Sequence, residues 1–551
     1  MSPAAWWSSA VFYQVYPRSF ADSDGDGVGD LDGLTARLEH LEQLGVDAIW
    51  LNPVTVSPMA DHGYDVADPR DIDPLFGGMA AIERLIGAAH RRGMKITMDV
   101  VPNHTSSAHR WFQAALAAGP GTDARERYFF RDGHGTDGEL PPNNWTSVFG
   151  GPAWTRVVEP DGHPGQWYLH LFDTEQPDLN WEHPDVFDDF EKTLRFWLER
   201  GVDGFRLDSI NFCFHDLQLR DNPPKPKAQR SGRGFSADNP YAYQYHYFNN
   251  TQPENLAFLG ELRALLDSYP GATTLGEIAS EDSLATMADY TAGHRLHMGY
   301  SFELLTDDFS AAYIRDTVRA LEARMTEGWP CWAISNHDVE RVLSRWGGDR
   351  TSAAMANLLT AMVCSLRGSV CVYQGEELGL TEAELPFEAL QDPYGIAFWP
   401  QFKGRDGCRT PMPWTTGAHG GFTTGAPWLP VPQEHLALAV SQQEANDTST
   451  LNGFRAFMRW RHTHPALRTG SIRFLDTAEP VLAFTREAPG ETLLVAFNLS
   501  DAPANWSIPS LRGARPLHGH GLHEGTLDGE HVRLPAYGAM FASLAEGNPP
   551  G

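Results

Sequence analysis

Short apolar runs alternate with longer amphipathic stretches along most of the chain. The amphipathic stretches at 31–44 and 79–92 are each followed by a glycine, Gly45 and Gly93, which is a common helix stop. An apolar run followed by an amphipathic stretch at this spacing predicts parallel βα units. Eight strands are predicted, at 11–16, 48–52, 95–104, 204–208, 273–278, 296–303, 331–338 and 369–377. Eight βα units predict an α/β fold, the closed (β/α)8 TIM barrel.

Two irregular segments interrupt this alternation. Residues 105–177 are rich in Gly, Pro, Asn, Trp and charged residues without a clear helical period, so we expect an inserted domain after the third strand. A second irregular stretch covers roughly residues 379–452. From residue 471, short alternating segments such as LLVAFNLSD predict an all-β sandwich domain. The predicted domains are therefore a barrel at 1–104 and 178–470, an insertion at 105–177 and a C-terminal β-domain at 471–551.

Composition narrows the class of partner. The chain has 551 residues and a formal net charge of −29, which repels nucleic acid and anionic membranes and suits a neutral or cationic ligand. It contains no run of about 18 apolar residues, and its first residues lack the features of a signal peptide. Five cysteines without metal-ligand spacing indicate reduced thiols. We therefore expect a cytoplasmic monomer or homodimer without a nucleic-acid or membrane partner.

An acidic loop follows the first predicted strand. Its sequence, DSDGDGVGDLDG, matches the first nine positions of a calcium loop, but Gly33 replaces the final glutamate of an EF-hand. Four carboxylates this close repel one another unless a cation is bound. We therefore predict a structural Ca²⁺ site, with Mg²⁺ possible, formed by Asp22, Asp24, Asp26, the Val28 carbonyl and Asp30. The alternative is a solvated acidic turn whose last aspartate caps the next helix.

Charged and polar side chains are predicted at the carboxyl ends of several barrel strands. Arg206 and Asp208 alternate with Phe205 and Leu207, so the two charged residues share one face of the fourth strand. An ion pair that caps the sheet is one interpretation of that pair alone. Convergence of many such groups at one barrel mouth instead favours metal binding or acid–base chemistry. The groups are His104, Arg206, Asp208, Glu277, His337 and Asp338.

Motifs around these residues resemble a known family. DVVPNH, GFRLDSINF, LGEI and ISNHD resemble, in order and spacing, the four signature regions of the α-amylase family, glycoside hydrolase family 13, and QPDLNW resembles its fifth. YQVYPRSFADSDGDGVGDLDG and CRTPMPW resemble the α-glucosidase and oligo-1,6-glucosidase branch. The resemblance covers nearly the whole chain. It implies a barrel with a domain B after strand three and a C-terminal β-domain, which agrees with the layout predicted above.

The resemblance also implies catalytic roles. Asp208 corresponds to a nucleophile that forms a covalent glycosyl-enzyme, Glu277 to the general acid and base, and Asp338 to a group that holds sugar hydroxyls. A retaining mechanism requires the two carboxyl groups to lie roughly 5–5.5 Å apart. We expect Arg206 to lower the pKa of Asp208, and neighbouring carboxylates to raise the pKa of Glu277.

Further residues are assigned to sugar binding by the same resemblance. His104 and His337 are expected to donate hydrogen bonds to the glucose, and Tyr64 to stack under its ring, with buried structural roles as alternatives. Asp61 and Arg409 resemble a pair that closes the pocket beyond the non-reducing end and enforces exo action, with a surface ion pair as the alternative. Phe149 and Phe172 are expected to line the mouth of the pocket or to pack in a core.

The residue after the predicted nucleophile bears on the substrate. In this branch, small or hydroxylic residues at that position accompany cleavage of 1,4-linkages, so Ser209 favours an α-1,4-glucosidase acting on maltose-sized α-glucosides, with transglucosylation also expected. An oligo-1,6-glucosidase or a sucrose-acting glucosidase or isomerase is the alternative within the family. An inactive binding subunit is the alternative of another class, but the chain keeps all three acids.

Overall fold

Eight parallel strands form the centre of the molecule. The structure is a computed structural model that describes residues 5–230, 239–507 and 513–544. The barrel strands are Val11–Val15, Ala48–Leu51, Lys95–Val100, Gly204–Leu207, Thr273–Ile278, Met298–Ser301, Cys331–Ala333 and Ser369–Tyr373. Each pairs with its neighbours in the order 6-5-4-3-2-1-8-7, and a parallel bridge between Gly299 and Pro330 joins the two ends. The predicted closed barrel is confirmed.

Alternation along the strands separates two cores. Val11, Tyr13 and Val15 of the first strand pack in the large core that also contains the surrounding helices. Phe12 of the same strand and Trp50 of the second pack in a smaller cluster with side chains from the fifth to eighth strands, inside the barrel. Arg206 and Asp208 therefore project to the barrel interior and its mouth, because Phe205 and Leu207 belong to the helix-facing core.

Helices cover the outside of the barrel. One prediction differs in detail, because the expected helix at 31–44 is interrupted at Arg37, whose backbone leaves the helical region and whose guanidinium lies over the Trp414 ring at 4.4 Å. The helices up to the eighth strand are Leu31–Ala36, Leu38–Leu44, Gly78–Arg91, Pro184–Leu198, Asn255–Asp267, Ser283–Thr291, Ala311–Arg324, Val342–Gly347 and Ala353–Ser365. After it follow Pro393–Phe398, Gln433–Leu436, Val440–Glu444, Thr450–His462 and Pro465–Thr469.

The segment after the third strand contains its own small sheet. Three antiparallel strands, Phe130–Arg131, Pro164–Leu169 and Trp154–Val158, pair in that order. Although the sequence shows no clear helical period here, Arg110–Ala118 and Asp123–Glu126 are helical. The longer helix buries only Phe112 and Ala115 and begins at an unusual cap, the His109 ring, which accepts from the Trp111 N–H. Boundaries at 104/105 and 177/178 remain a prediction.

The C-terminal region forms two packed antiparallel sheets. Its five-stranded sheet contains Ser471–Phe474, Val481–Ala488, Glu491–Asn498, Ala539–Ser543 and Arg515–Leu517, and its three-stranded sheet contains Ala504–Ser507, His531–Leu534 and Thr526–Asp528. Ala483 and Leu494 pack against Val532 between the sheets, whereas Phe484 and Phe541 belong to the core shared with the barrel helices. The predicted sandwich is confirmed. Residues 508–512 and 545–551 of the predicted domain lie outside the described residues.

Two sequence expectations concern the chain as a whole. All five cysteines are buried and unpaired by disulfides, including Cys331 and Cys371, whose Sγ atoms lie 3.6 Å apart on adjacent strands. Within the described ranges, none of the helices combines the length and apolar character needed to cross a membrane.

Candidate active site

A cavity of about 490 Å³ opens at the carboxyl ends of the barrel strands. Its lining includes Asp208 directly after the fourth strand, Glu277 near the end of the fifth and Asp338 beyond the seventh. Only 8% of Asp208 and 4% of Glu277 is exposed. The structure therefore brings the three predicted catalytic acids to one site.

Arg206 joins two of these acids. Its guanidinium is fully buried, and its Nη1 atom lies 2.5 Å from Asp208 Oδ1, while its Nη2 atom forms an ion pair with Glu277 Oε1. Nη1 also donates to Asp99 Oδ1 at 3.0 Å. One guanidinium therefore contacts the carboxyl groups of both Asp208 and Glu277.

Burial dominates the protonation of this pair. It raises the pKa of Glu277 to about 8, with the nearby charges of Asp208 and Asp338 acting in the same direction and Arg206 opposing them. Burial also raises the pKa of Asp208 to about 7, although Arg206 acts to lower it. Arg206 acts to lower the pKa of Asp208 as expected, but desolvation outweighs the ion pair and the net shift is upward.

Asp338 behaves in the opposite way. Arg409 Nη2 lies 3.0 Å and Arg405 Nη1 3.2 Å from its Oδ1 atom. Burial favours the neutral acid, but the positive charges of Arg405 and Arg409 oppose it, and the pKa of Asp338 lies well below its usual range. Asp338 is therefore a permanent carboxylate in the cavity.

Tyr64 and His337 stack on each other at the closed end of the cavity, which we call the inner end. Their rings stack at 5.3 Å with an interplanar angle of 9°, and Tyr64 Oη lies 2.6 Å from His337 Nε2. Asn52 Nδ2 donates to Tyr64 Oη at 2.7 Å, and Gln14 Nε2 lies 2.8 Å from His337 Nδ1. Burial lowers the pKa of His337 well below its usual value, so the ring is neutral. Tyr64 lines the cavity, and stacking on a sugar remains a prediction.

His104 contacts the backbone carbonyl of Tyr64. Its Nε2 atom is 3.2 Å from the Tyr64 carbonyl and 3.1 Å from Gln176 Nε2, and Gln176 donates to Asp61 Oδ2 at 3.1 Å. Burial lowers the pKa of His104 to about 4. A neutral imidazole that lines the cavity can exchange one of these contacts for a ligand hydroxyl.

The predicted pair of Asp61 and Arg409 is wrong in one partner. Asp61 Oδ1 accepts from Arg405 Nη2 at 2.8 Å, and the same guanidinium binds Asp392 Oδ1 at 2.8 Å. Arg409 instead donates to the His337 carbonyl at 2.7 Å and to Asp338. The ion pair at the inner end is therefore Asp61–Arg405, and it is buried rather than at the surface. Arg409 instead holds the carboxylate of Asp338 in place.

Phe149 and Phe172 both line the cavity and also pack against neighbouring side chains. Phe149 stacks on Tyr394 at 5.5 Å and lies under the Arg405 guanidinium at 5.1 Å. Phe172 contacts the His104 ring at 5.2 Å. The two alternatives considered for these residues are therefore compatible, since each ring both lines the cavity and packs against neighbouring side chains.

Comparison with known proteins agrees with this geometry. Residues 14–470 match the model of the α-amylase catalytic domain, and residues 472–541 match the C-terminal domain of maltogenic amylase. The chain belongs to the α-amylase family. A probable α-glucosidase of Rhizobium meliloti (strain 1021) is 48% identical over 98% of this chain and 97% of its own. An oligo-1,6-glucosidase of Heyndrickxia coagulans is 36% identical over 92% and 94%.

One solved structure of this α-amylase family is similar along the whole chain. The α-glucosyl transfer enzyme XgtA superposes with a TM-score of 0.95 at 59% identity, covering 98% of this chain and 100% of that one. The predicted family, its barrel and its glycoside hydrolase class are confirmed by these matches.

Several residues of the site were not singled out from the sequence. Arg405 lies three residues before the quoted CRTPMPW motif, and Gln176 opens QPDLNW. Asp99 is the first residue of the quoted DVVPNH motif, lies in the third strand and accepts from Trp50 Nε1 at 3.1 Å. Lys225 and Tyr245 lie on a long loop after the fourth strand, where no motif marked them.

The acidic loop keeps part of the predicted arrangement. One carboxylate oxygen from each of Asp22, Asp24 and Asp30 lies within 4.8 Å of the others, close enough to share a cation. Asp26 is outside that group and accepts from the Val28 N–H at 2.8 Å. Asp30 also accepts from the Gly33 N–H at 2.7 Å and caps the following helix. The three-carboxylate set suits a hard divalent cation, and the capping alternative is true of Asp30.

Proposed function

We propose that this protein is a retaining, exo-acting α-glucosidase that hydrolyses small α-glucosides. The observation that carries the proposal is the bridge from Arg206 to both Asp208 and Glu277. A single guanidinium that contacts both acids favours the close spacing of retaining enzymes, roughly 5–5.5 Å, over the roughly 6.5–9.5 Å of inverting ones.

Asp208 and Glu277 divide the chemistry in two steps. In the first, an Asp208 oxygen attacks the anomeric carbon while Glu277 donates its proton to the departing glycosidic oxygen, which releases the aglycone and leaves a covalent glucosyl-enzyme. In the second, Glu277 removes a proton from water, which attacks the same carbon and frees Asp208. The raised pKa of Glu277 supports its role as the proton donor.

The inner end supports removal of one glucose at a time. The Asp61–Arg405 ion pair and the Tyr64–His337 stack close the cavity beyond the catalytic acids. Asp338 remains ionised beside them and suits hydrogen bonds from two adjacent sugar hydroxyls. A closed end of this kind leaves no path for a longer chain, which favours exo action.

Ser209 supports a preference for α-1,4-linkages. It occupies the left-handed backbone region at φ 41°, and its N–H donates to Glu277 Oε2 at 3.1 Å, so it lies beside the proton donor. Oligo-1,6-glucosidase or sucrose-directed activity is the second candidate, favoured by the identity to an oligo-1,6-glucosidase over 94% of its length. Transglucosylation follows if an alcohol replaces water in the second step.

The proposal also covers a bound cation, the cellular location and the oligomeric state. A divalent cation, Ca²⁺ or Mg²⁺, would be held by Asp22, Asp24 and Asp30 and would stabilise the acidic loop. Five buried, unpaired cysteines favour a cytoplasmic location. The acidic chain favours neutral glucoside substrates, and the protein is proposed to act as a monomer or homodimer.

The proposal is tested by the configuration of the first product. Proton NMR of 4-nitrophenyl α-glucoside hydrolysis is expected to show α-glucose before mutarotation, and maltose is expected to be cleaved faster than isomaltose and sucrose. Release of β-glucose would contradict the retaining mechanism. Cleavage of isomaltose faster than maltose would favour the second candidate.

A further inference from the structure

The outer half of the cavity is built by two loops. We use this name for the lining residues Lys225, Gln229, Tyr241, Tyr245 and Glu281. Glu281 follows the fifth strand, four residues after Glu277, whereas the other four lie between the fourth strand and its helix. Because the inner end is closed, an aglycone attached to a glucose at the acids must lie in this half, an assignment that rests on the proposed function.

Glu281 holds these two loops together. Its Oε2 atom lies 2.7 Å from Lys225 Nζ, and its Oε1 atom accepts from the His246 N–H at 3.1 Å. The loop itself forms a short ladder, in which the Lys225 N–H donates to the Tyr243 carbonyl at 2.7 Å and Tyr245 donates to Pro223 at 2.9 Å. Lys225 Nζ also lies 5.1 Å from the centre of the Tyr245 ring. The lysine is therefore fixed by a carboxylate and by an aromatic face.

The charges that line the cavity leave no cation for an anionic ligand among the described residues. Lys225 and Arg405 are the lysine and arginine in this lining. Arg405 binds Asp61, Asp338 and Asp392, and Lys225 binds Glu281. The histidines do not compensate, because burial lowers the pKa of His104 and of His246 to about 4.

We propose that the Lys225–Glu281 ion pair makes the outer half selective for uncharged aglycones and against phosphorylated ones. A phosphate monoester carries nearly two negative charges near neutral pH. It would enter a partly buried site that already contains carboxylates, and it would have to displace Glu281 from Lys225 to gain a counter-ion. A neutral sugar or aryl group needs no counter-ion, so it can enter and leave the Lys225–Glu281 ion pair intact.

The test compares maltose with maltose phosphorylated on its reducing-end glucose. Steady-state kcat/KM is measured for both, and each is also used as a competitive inhibitor of 4-nitrophenyl α-glucoside hydrolysis, so that binding is read even without turnover. The wild-type enzyme is expected to favour maltose by about tenfold or more. Glu281→Gln frees Lys225 and is expected to shrink this preference by about tenfold.

Two further variants separate selectivity from loop structure. Lys225→Met removes the cation and leaves Glu281 charged, so it is expected to widen the preference for maltose. A role confined to holding the loops would shift both variants in the same direction. Glu261→Gln, an exposed change of equal charge on the Asn255–Asp267 helix, is the matched control and is expected to leave the preference unchanged.

The outcomes also separate this inference from the proposed function. A wild-type enzyme that prefers the phosphorylated disaccharide, or Glu281→Gln and Lys225→Met variants that change the preference in parallel, would overturn the selectivity proposal. Absence of 4-nitrophenyl α-glucoside hydrolysis by the wild-type enzyme would instead overturn the glucosidase proposal, and dissociation constants of the two disaccharides, measured by isothermal titration calorimetry, would then still report whether the cavity rejects phosphate.

Discussion

The two halves of the cavity are built in different ways. The inner half, which we define by Asp61, Tyr64, His104 and Arg405, is almost completely buried, with 4% of Asp61 and 2% of His104 exposed. Three of these residues lie on the segments that follow the second and third barrel strands. In the outer half, the side chains of Lys225 and Glu281 are 12% and 25% exposed and lie on loops. Residues of the inner half are anchored by the barrel, and those of the outer half by each other.

This difference separates recognition of the glucose unit, which all substrates share, from recognition of the aglycone, which differs among them. A glucose bound in the inner half meets preorganised groups whose positions the strands determine, which suits recognition of a common unit and stabilisation of one transition state. An aglycone meets loop residues that can be changed without disturbing the barrel. We therefore expect substitutions in the inner half to reduce turnover of every substrate, and those in the outer half to change the preference among substrates.

The largest expected effect is at the nucleophile. Asp208→Asn removes the attacking oxygen and is expected to reduce kcat by about a thousandfold or more for all glucosides. Initial rates on 4-nitrophenyl α-glucoside and maltose measure the loss. Asp188→Asn, an exposed aspartate on the Pro184–Leu198 helix, is the control and is expected to retain full activity. Substantial turnover by a folded Asp208→Asn variant would exclude Asp208 as nucleophile.

The ion pair at the inner end is expected to have the next largest effect. Asp61→Asn removes the charge opposite Arg405 Nη2, and kcat/KM for maltose is expected to fall by about 10- to 100-fold, the value of a hydrogen bond to a charged group. Asp71→Asn, at an exposed position nearby in the chain, should leave kcat/KM unchanged. If Asp61→Asn affected maltose but spared 4-nitrophenyl α-glucoside, Asp61 would belong to aglycone binding and the boundary between the halves would be wrong.

The pH profile tests whether the inner half controls protonation. Below about pH 7, Asp208 gains a proton and is no longer a nucleophile, and above about pH 8, Glu277 loses the proton it must donate. The profile of kcat/KM is therefore expected to be a narrow bell with limbs near these values, and these limbs belong to the coupled pair. An enzyme with constant activity from pH 5 to 7 would show that Asp208 stays ionised, as its ion pair with Arg206 alone would predict.

Sequence analysis located the barrel from the regular alternation of strands and helices, and the direction of the charged side chains from alternation along a strand. Arg206 and Asp208 alternate with Phe205 and Leu207, which are buried on the other face of the strand, so the direction of the charged side chains could be predicted. The choice between Arg405 and Arg409 could not, since the two arginines lie only four positions apart and only the folded loop places Arg405 at Asp61. The raised pKa of Asp208 depends on burial, which the neighbouring arginine in the sequence did not reveal.

Features formed by loops were the hardest to predict. The Arg110–Ala118 helix has only nine residues and begins at a histidine, which is not one of the usual helix-start residues. Lys225 and Glu281 are separated by 56 positions and meet only because two βα loops converge at the barrel mouth. The outer half is therefore the part of the site for which the structure adds most.

The acidic loop belongs to neither half of the cavity, because none of its residues lines it, so changes there should affect stability rather than turnover. Removal of divalent ions by a chelator is expected to lower the melting temperature by about 2–5 °C. The kcat is expected to change by less than about twofold, because the charges of the loop interact with the catalytic acids only at long range, where salt screens them. Asp24→Asn should abolish the sensitivity to chelation without loss of the helix cap that Asp30 provides. An unchanged wild-type melting temperature would favour an empty turn, in which Asp30 acts as a cap alone.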